Sequence, residues 1–216
     1  MAQNIAENVA SPAQTQASEC DPRIARSRAA LREAFIELVE ERGLDAVSVG
    51  DICSRAGLNR GTFYNHFTDK ENLLATWEDE VLEGLGAVLG KLKTLNLREI
   101  AACSVMKRPL PVLVELFDYL RSEGAFLHAV LGPGGDARFG IKLREALGGK
   151  FVRSLLHARY RDDNSPFVRY YISFYSGAYL GVIGEWISSG MEESSEDMAL
   201  IALRLLFIKP GDSIKL

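Results

Sequence analysis

The stretch AGLNRGTFYNHF, residues 56–67, crowds Phe63, Tyr64, His66 and Phe67 directly behind a small-residue turn. Ala56 is small enough for two helices to cross closely. Gly57 can take the left-handed conformation that ends a helix, and Leu58 fills the angle between the two. Asn59 is a cap residue, and upstream Ser48 caps a short helix bearing Ile52 and Ala56. Cap, short helix, glycine turn, cap, short helix is a helix-turn-helix layout. On the second helix, expected over 59–66, Phe63 stands four residues after Asn59 and four before Phe67. Both rings can therefore pack inward against Ile52 and the first helix of the chain. Arg60, Gly61, Tyr64 and Asn65 then face outward. In such motifs the first residues of the second helix reach base edges in the major groove of DNA.

Outward from the motif, helical periods dominate. Asp21-Pro22 reads as a cap and first-turn proline of a helix through Arg42. Leu31, Ala34, Phe35 and Leu38 line one face, and Gly43 stops it. Asp69 caps a fourth helix with the stripe Leu73, Leu74, Trp77, Val81. Pro109 and Pro111 open a helix through Leu113, Leu116, Phe117 and Leu120. LGPGGD (131–136) is a turn, a helix runs from about Ala137 to Tyr160, and RDDNSP (161–166) breaks it. Two last helices are expected over about 166–189 and 195–208. No period-2 run with hairpin turns is present. The fold class expected is all-α. An N-terminal three-helix helix-turn-helix DNA-binding domain (21–70, motif 48–67) precedes a larger helical regulatory and dimerisation domain (71–208). A disordered arm (1–20) and a tail (209–216) flank them.

SVGDICSRAGLNRGTFYNHFTDKENLL, residues 48–74, resembles the DNA-binding domain of the TetR/AcrR family of transcriptional regulators. The similarity extends over about residues 24–75, and TFYNHF-x-x-K is its most specific part. The resemblance implies phosphate contacts from Thr62, Tyr64, His66 and Lys70. Asn59, Arg60, Gly61 and Asn65 would face bases or lie close to the DNA backbone. Ser48 would cap its helix and approach a phosphate. Two positions depart from the family pattern. Gly50 stands where members often carry a longer polar or basic residue, and Cys53 where they carry a small apolar one.

Composition sets bounds on this reading. The chain has 216 residues, 47% of them hydrophobic and 25% charged, with a formal net charge of −4. No global positive charge advertises nucleic acid or membrane. Over 22–72 eight basic residues meet eight acidic ones. Placement therefore has to carry any DNA contact, and Arg23, Arg26, Arg28 and Arg32 lead the first helix. Arg26 and Arg28 are accordingly candidate phosphate contacts. Cys20, Cys53 and Cys103 form no CxxC pair, which fits a reducing cytoplasm and argues against disulfides or zinc. The first twenty residues hold no Lys, Arg or apolar block, unlike a signal or transit peptide. The longest uncharged apolar stretch, Tyr170–Gly184, has 15 residues; a membrane span needs about 20.

The helix expected over 166–189 is apolar around most of its circumference. Ser173, Gly177, Gly181 and Gly184 add a small-residue seam that lets another helix approach closely. A helix of this kind must be buried on all sides, so one side calls for a partner chain. Tyr171, Tyr175, Gly177, Ala178, Gly181, Val182 and Trp186, with Met198, Ile201 and Leu205 of the last helix, are the expected homodimer contacts. YLGVIGEWISSGMEESSEDMA (179–199) and LGPGGDARF (131–139) are similar to the branch typified by the dihydroxyacetone kinase regulator. A pocket for a small-molecule effector is expected among Phe117, Phe126, His128, Phe174 and Glu185. A lone histidine such as His128 or His157 on an apolar helix nevertheless more often serves structure. GPGGDA (132–137) matches a dinucleotide fingerprint in letters only: it lacks flanking strands, and Pro133 spoils the turn. GLGAVLGK (84–91) has the wrong spacing for a phosphate loop. No catalytic, metal or cofactor constellation is evident. The reading is a homodimeric regulator, most naturally a ligand-responsive repressor, on a pseudo-palindromic double-stranded operator. The alternative is a protein-interaction regulator or co-activator working with a partner protein.

Overall fold

The computed structural model describes residues 22–91, 97–147, 152–153 and 163–205. The expected arm, the Asp21 cap, the helical stretch past residue 147, His157, the end of the last helix and the tail lie outside them, wholly or in most of their length. Ten α-helices and no strand occur among the described residues. They are α1 (Pro22–Arg42), α2 (Val49–Arg55), α3 (Arg60–Tyr64), α4 (Lys70–Gly90), α5 (Leu97–Met106), α6 (Pro111–Ser122), α7 (Gly124–Leu131), α8 (Ala137–Ala146), α9 (Pro166–Ser188) and α10 (Ser195–Leu205), with a 3-10 turn at Leu44–Ala46. α5 has no counterpart among the helices expected from the sequence, and α7 has one only in the apolar helix given to His128. α5 buries little beyond Ile100, so its apolar period is faint. α7 follows α6 with only Glu123 between them.

Local chemistry sets the N-terminal helices. α1 turns Leu31, Ala34, Phe35, Leu38 and Val39 inward. Gly43, at φ 79°, ends it in a conformation that costs a side-chain-bearing residue far more. Ser48 and Asp51 form a capping box over α2: the Ser48 hydroxyl accepts from the Asp51 N–H, and the Asp51 carboxylate accepts from the Ser48 N–H at 3.0 Å. Gly57 takes φ 65°, and Leu58 N–H then donates to the Cys53 carbonyl at 2.9 Å to close the turn. Asn59 caps α3 through the Thr62 N–H at 2.7 Å, and Asp69 caps α4 through the Asn72 N–H at 2.6 Å. α3 is shorter than expected, ending at Tyr64 with a turn over Asn65 and His66.

The core is continuous from one end of the described chain to the other. Phe63 packs on Phe67, Phe67 on Trp77 of α4, Trp77 on Phe126 of α7, and Phe126 on Phe139 of α8, with ring centroids 5.3–6.5 Å apart. Burial of such a ring stabilises by about 2–3 kcal/mol. α1 packs on α2 and α7, α4 on α6 and α8, and α6 on α10. Gly84 of α4 leaves room for Tyr119 of α6, whose hydroxyl donates to the Val81 carbonyl at 3.0 Å. Burial pushes that phenol up to about 12.

α9 is not buried all round in the single chain. Val168, Ser176, Tyr179, Ile183, Trp186 and Ile187 face the core. Phe167, Tyr170 and Phe174 are 77%, 76% and 69% exposed, and Gly177, Ala178 and Gly181 continue the exposed side. A Cβ placed on Gly177, Gly181 or Gly184 meets nothing within 4 Å. Two expected dimer residues are corrected. Trp186 packs edge-on against Phe117 within the chain's own core and donates to the Glu193 carbonyl. Met198 is also buried there.

Candidate nucleic-acid interface

Phe63, fully buried, and Phe67, nearly so, pin α3 against α2 and α4. With those rings inward, α3 displays Arg60, Gly61, Tyr64 and Asn65 to solvent. Tyr64 is 56% exposed and sets its ring edge-on to Phe63, which holds it upright. Asn59 is exposed but committed by its side-chain oxygen to the cap. Thr62 is half-buried beside it, its hydroxyl donating to the same oxygen at 3.2 Å. Ser48 is exposed at the start of α2.

Gly50 has a consequence the sequence did not reveal. A Cβ there would lie 2.9 Å from a guanidinium nitrogen of Arg60. The missing side chain thus leaves the space into which Arg60 of α3 folds. Where the family pattern has a longer residue on α2, this chain has the arginine of the next helix. The Arg60 charge also acts on Cys53, but burial dominates and holds that thiol above its usual range.

The flanking residues are more engaged than their spacing suggests. His66 is half-buried, its Nε2 2.7 Å from the Ser27 hydroxyl of α1. Burial, reinforced by the Arg28 charge, lowers its pKa. Lys70 donates from Nζ to the Leu44 carbonyl at 2.9 Å. Arg28 pairs with Glu80 of α4 and lies over the Phe67 ring at 5.7 Å, which braces α1 on α4. Arg32 pairs with Glu123. Arg26 stays exposed, its Nε donating to the Pro22 carbonyl at 3.2 Å. α2 is oriented on α1 by Arg55 with Glu37 and Glu41, and by Arg42 with Asp51. Exposed pairs of this kind fix geometry more than they add stability.

The five residues expected to share an effector pocket are not brought together. Phe117 and Phe126 are packed solid in the core. His128 sits on the surface, with Nδ1 2.5 Å from Glu40. Phe174 and Glu185 lie on the exposed side of α9. Among the described residues, a cleft of about 370 Å³ opens elsewhere, between the Leu44–Ala46 turn, the first turns of α4 and the start of α8. No helix among them is long and apolar enough to cross a membrane.

Two family models match. One, of the bacterial regulatory proteins of the tetR family, covers residues 31–76. The other, of the transcriptional regulator C-terminal region, covers 107–207. Between them they take in about two thirds of the chain, which belongs to the TetR family of transcriptional regulators. The Uncharacterized HTH-type transcriptional regulator YxbF of Bacillus subtilis (strain 168) is 37% identical over 59 residues, 27% of this chain and 16% of that one. The HTH-type transcriptional repressor KstR2 of Rhodococcus jostii (strain RHA1) is 38% identical over 82 residues, 38% of this chain and 36% of its own. The chain thus spans little more than a third, at most, of the curated relatives it matches. In fold it is similar to the dihydroxyacetone kinase operon activator DhaS. That likeness has a TM-score of 0.55 at 18% identity, covering 84% of this chain and 94% of the other.

Proposed function

We propose that this chain is a sequence-specific DNA-binding transcriptional regulator that acts as a homodimer and answers to a small molecule. The observation that carries the reading is the set of α3. Phe63 and Phe67 are sunk in the core while Arg60, Gly61, Tyr64 and Asn65 stand clear of it on a helix five residues long. A helix held so firmly by its buried side, with hydrogen-bonding side chains on the other, suits insertion into a major groove. Arg60 and Asn65 read base edges, as arginine does for guanine and asparagine for adenine. Tyr64, Thr62 and Ser48 contact phosphates and fix the register. Lys70 and His66 join them with the valences left by Leu44 and Ser27.

The exposed stripe Tyr170, Phe174, Gly177, Ala178 and Gly181 of α9 supports pairing of two chains. Tyr171, Tyr175 and Val182 are half-buried beside it, and Ile201 and Leu205 lie on α10. Two copies then present α3 to successive major grooves, roughly 34–36 Å apart, on a pseudo-palindromic operator. A ligand acts by binding one of two arrangements better than the other. The name of one relative, a transcriptional repressor, favours repression as the mode. The test is a mobility shift on the region upstream of the chain's own coding sequence. Retardation that survives excess random duplex and is lost in Asn65→Ala supports the reading. No retardation, or retardation equally relieved by random duplex, removes it in favour of a protein-binding role.

A further inference from the structure

The 370 Å³ cleft at the junction of the helix-turn-helix and the remaining helices is lined by Leu44, Lys70, Glu78, Asp136, Arg138 and Lys142, with Asp45, Glu71, Leu74 and Ala75 around them. Its notable member is Glu78 on α4, 2% exposed. One carboxylate oxygen, Oε2, accepts from Lys142 Nζ at 2.8 Å, while the other, Oε1, is buried without a hydrogen-bond partner. A buried acceptor left unmade is costly, most of all on a carboxylate. The lining of the same cleft includes three cations with donors to spare. Lys70 and Lys142 each use one of three N–H groups, and Arg138 bonds Asp136 through Nε alone. The carboxylates Asp45, Glu71 and Asp136 complete a lining of mixed sign.

We infer that this junction cleft is a binding site for a small zwitterion of free amino acid type, its ammonium on Glu78 and its carboxylate on Lys70 and Arg138. The mixed lining matches neither a plain anion nor a plain cation. No group of His, Cys, Asp and Glu among the described residues has a metal-binding arrangement. The volume lies at the small end of ligand cavities, which fits a compact molecule.

The position of the cleft gives binding a consequence. Leu44, on its rim, donates its N–H to the Gly134 carbonyl at 2.7 Å and accepts Lys70 Nζ on its carbonyl at 2.9 Å. Lys70 is the first residue of α4, three positions after the Phe67 that anchors α3. A ligand carboxylate that takes Lys70 draws it away from a DNA phosphate, so occupancy weakens operator binding. This direction rests on the reading of α2 and α3 as a DNA surface; the existence of the site does not.

Thermal unfolding of the full chain is followed with each of the twenty common amino acids at 10 mM, and with acetate and ethylammonium as half-ligands. At least one amino acid is expected to raise the midpoint by about 2–4 °C, while the half-ligands do not. Glu78→Gln and the surface change Arg138→Ala are each expected to abolish the rise. Arg138 is 82% exposed at its side chain, so the second variant is informative even if the first fails to fold. A flat response to all twenty, or a rise that persists in Arg138→Ala, overturns the site. If an amino acid binds and operator affinity does not fall, the coupling through Lys70 is overturned and the site stands. If the chain binds no operator at all, only the function proposed above is lost.

Discussion

Arg60 lies where a side chain on residue 50 would otherwise be, so Gly50 and Arg60 act as a pair. Arg60→Ala or Asn65→Ala is expected to relax preference at particular operator positions, costing about 1–3 kcal/mol there. Affinities on an operator and on single-base variants of it check this; a uniform loss over specific and random duplexes would move these residues to the phosphate class. Gly50→Ala pushes the guanidinium aside and is expected to reproduce part of the Arg60→Ala pattern. His66 supplies a pH dependence. Its folded pKa lies below the ordinary value near 6.5, because burial and Arg28 disfavour the imidazolium. The unfolded chain then binds the proton more readily. The contribution of His66 to stability is complete above about pH 6.5 and is lost as pH falls through the folded pKa. Melting midpoints of the parent and His66→Gln, taken from pH 8 to pH 5, are expected to converge at the acid end. A gap constant with pH would place the imidazole in solvent. The inward turn of His66 was not legible in the sequence, because its partner Ser27 is 39 positions away.

At the scale of elements, local signals were readable wherever a cap or a positive-φ glycine marks the chain. Ser48, Asn59 and Asp69 cap the helices assigned to them, and Gly43 and Gly57 end theirs. The phasing of Phe63 and Phe67 was equally plain, since four-residue spacing leaves one inward face. What could not be read was anything set by a distant element. The pairing of Arg28 with Glu80 spans 52 positions, and it ties to α4 an arginine the sequence offers to DNA. The core places of Trp186 and Met198 are decided by packing on α6: Trp186 of α9 meets Phe117, and Met198 belongs to α10, which packs along α6. The loop of residues 132–135 was recognised as a turn, but not as a contact with Gly43. There Gly135 is indispensable for a steric reason: a Cβ on it would lie 2.0 Å from the Val130 carbonyl oxygen. Gly135→Ala must shift backbone and is expected to destabilise by about 1–3 kcal/mol. Gly140→Ala, on α8, meets nothing nearer than a Leu131 methyl at 3.9 Å. It is expected to be neutral or to stabilise by up to about 1 kcal/mol through helix propensity. Urea unfolding of the two variants gives the comparison, and equal midpoints would show that the 132–135 loop is free to move.

For the whole molecule, an aromatic path from Phe63 through Trp77 to Phe139 runs without a break from the helix-turn-helix into the helices that follow it. Gly181→Leu fills open space in the single chain, so the fold should tolerate it. In a close-packed pair it holds two α9 helices apart. The variant is expected to sediment as a monomer and to lose operator affinity although residues 48–70 are unchanged; a full-affinity dimer would place the interface elsewhere. The central claim, that paired α3 helices read a specific site, is tested most directly by one titration. A labelled duplex from the region upstream of the chain's own coding sequence is followed by fluorescence anisotropy, beside a duplex of shuffled sequence. The account predicts two chains per upstream duplex and binding at least about 10³-fold tighter than to the shuffled one. Equal affinity for the two duplexes would contradict it.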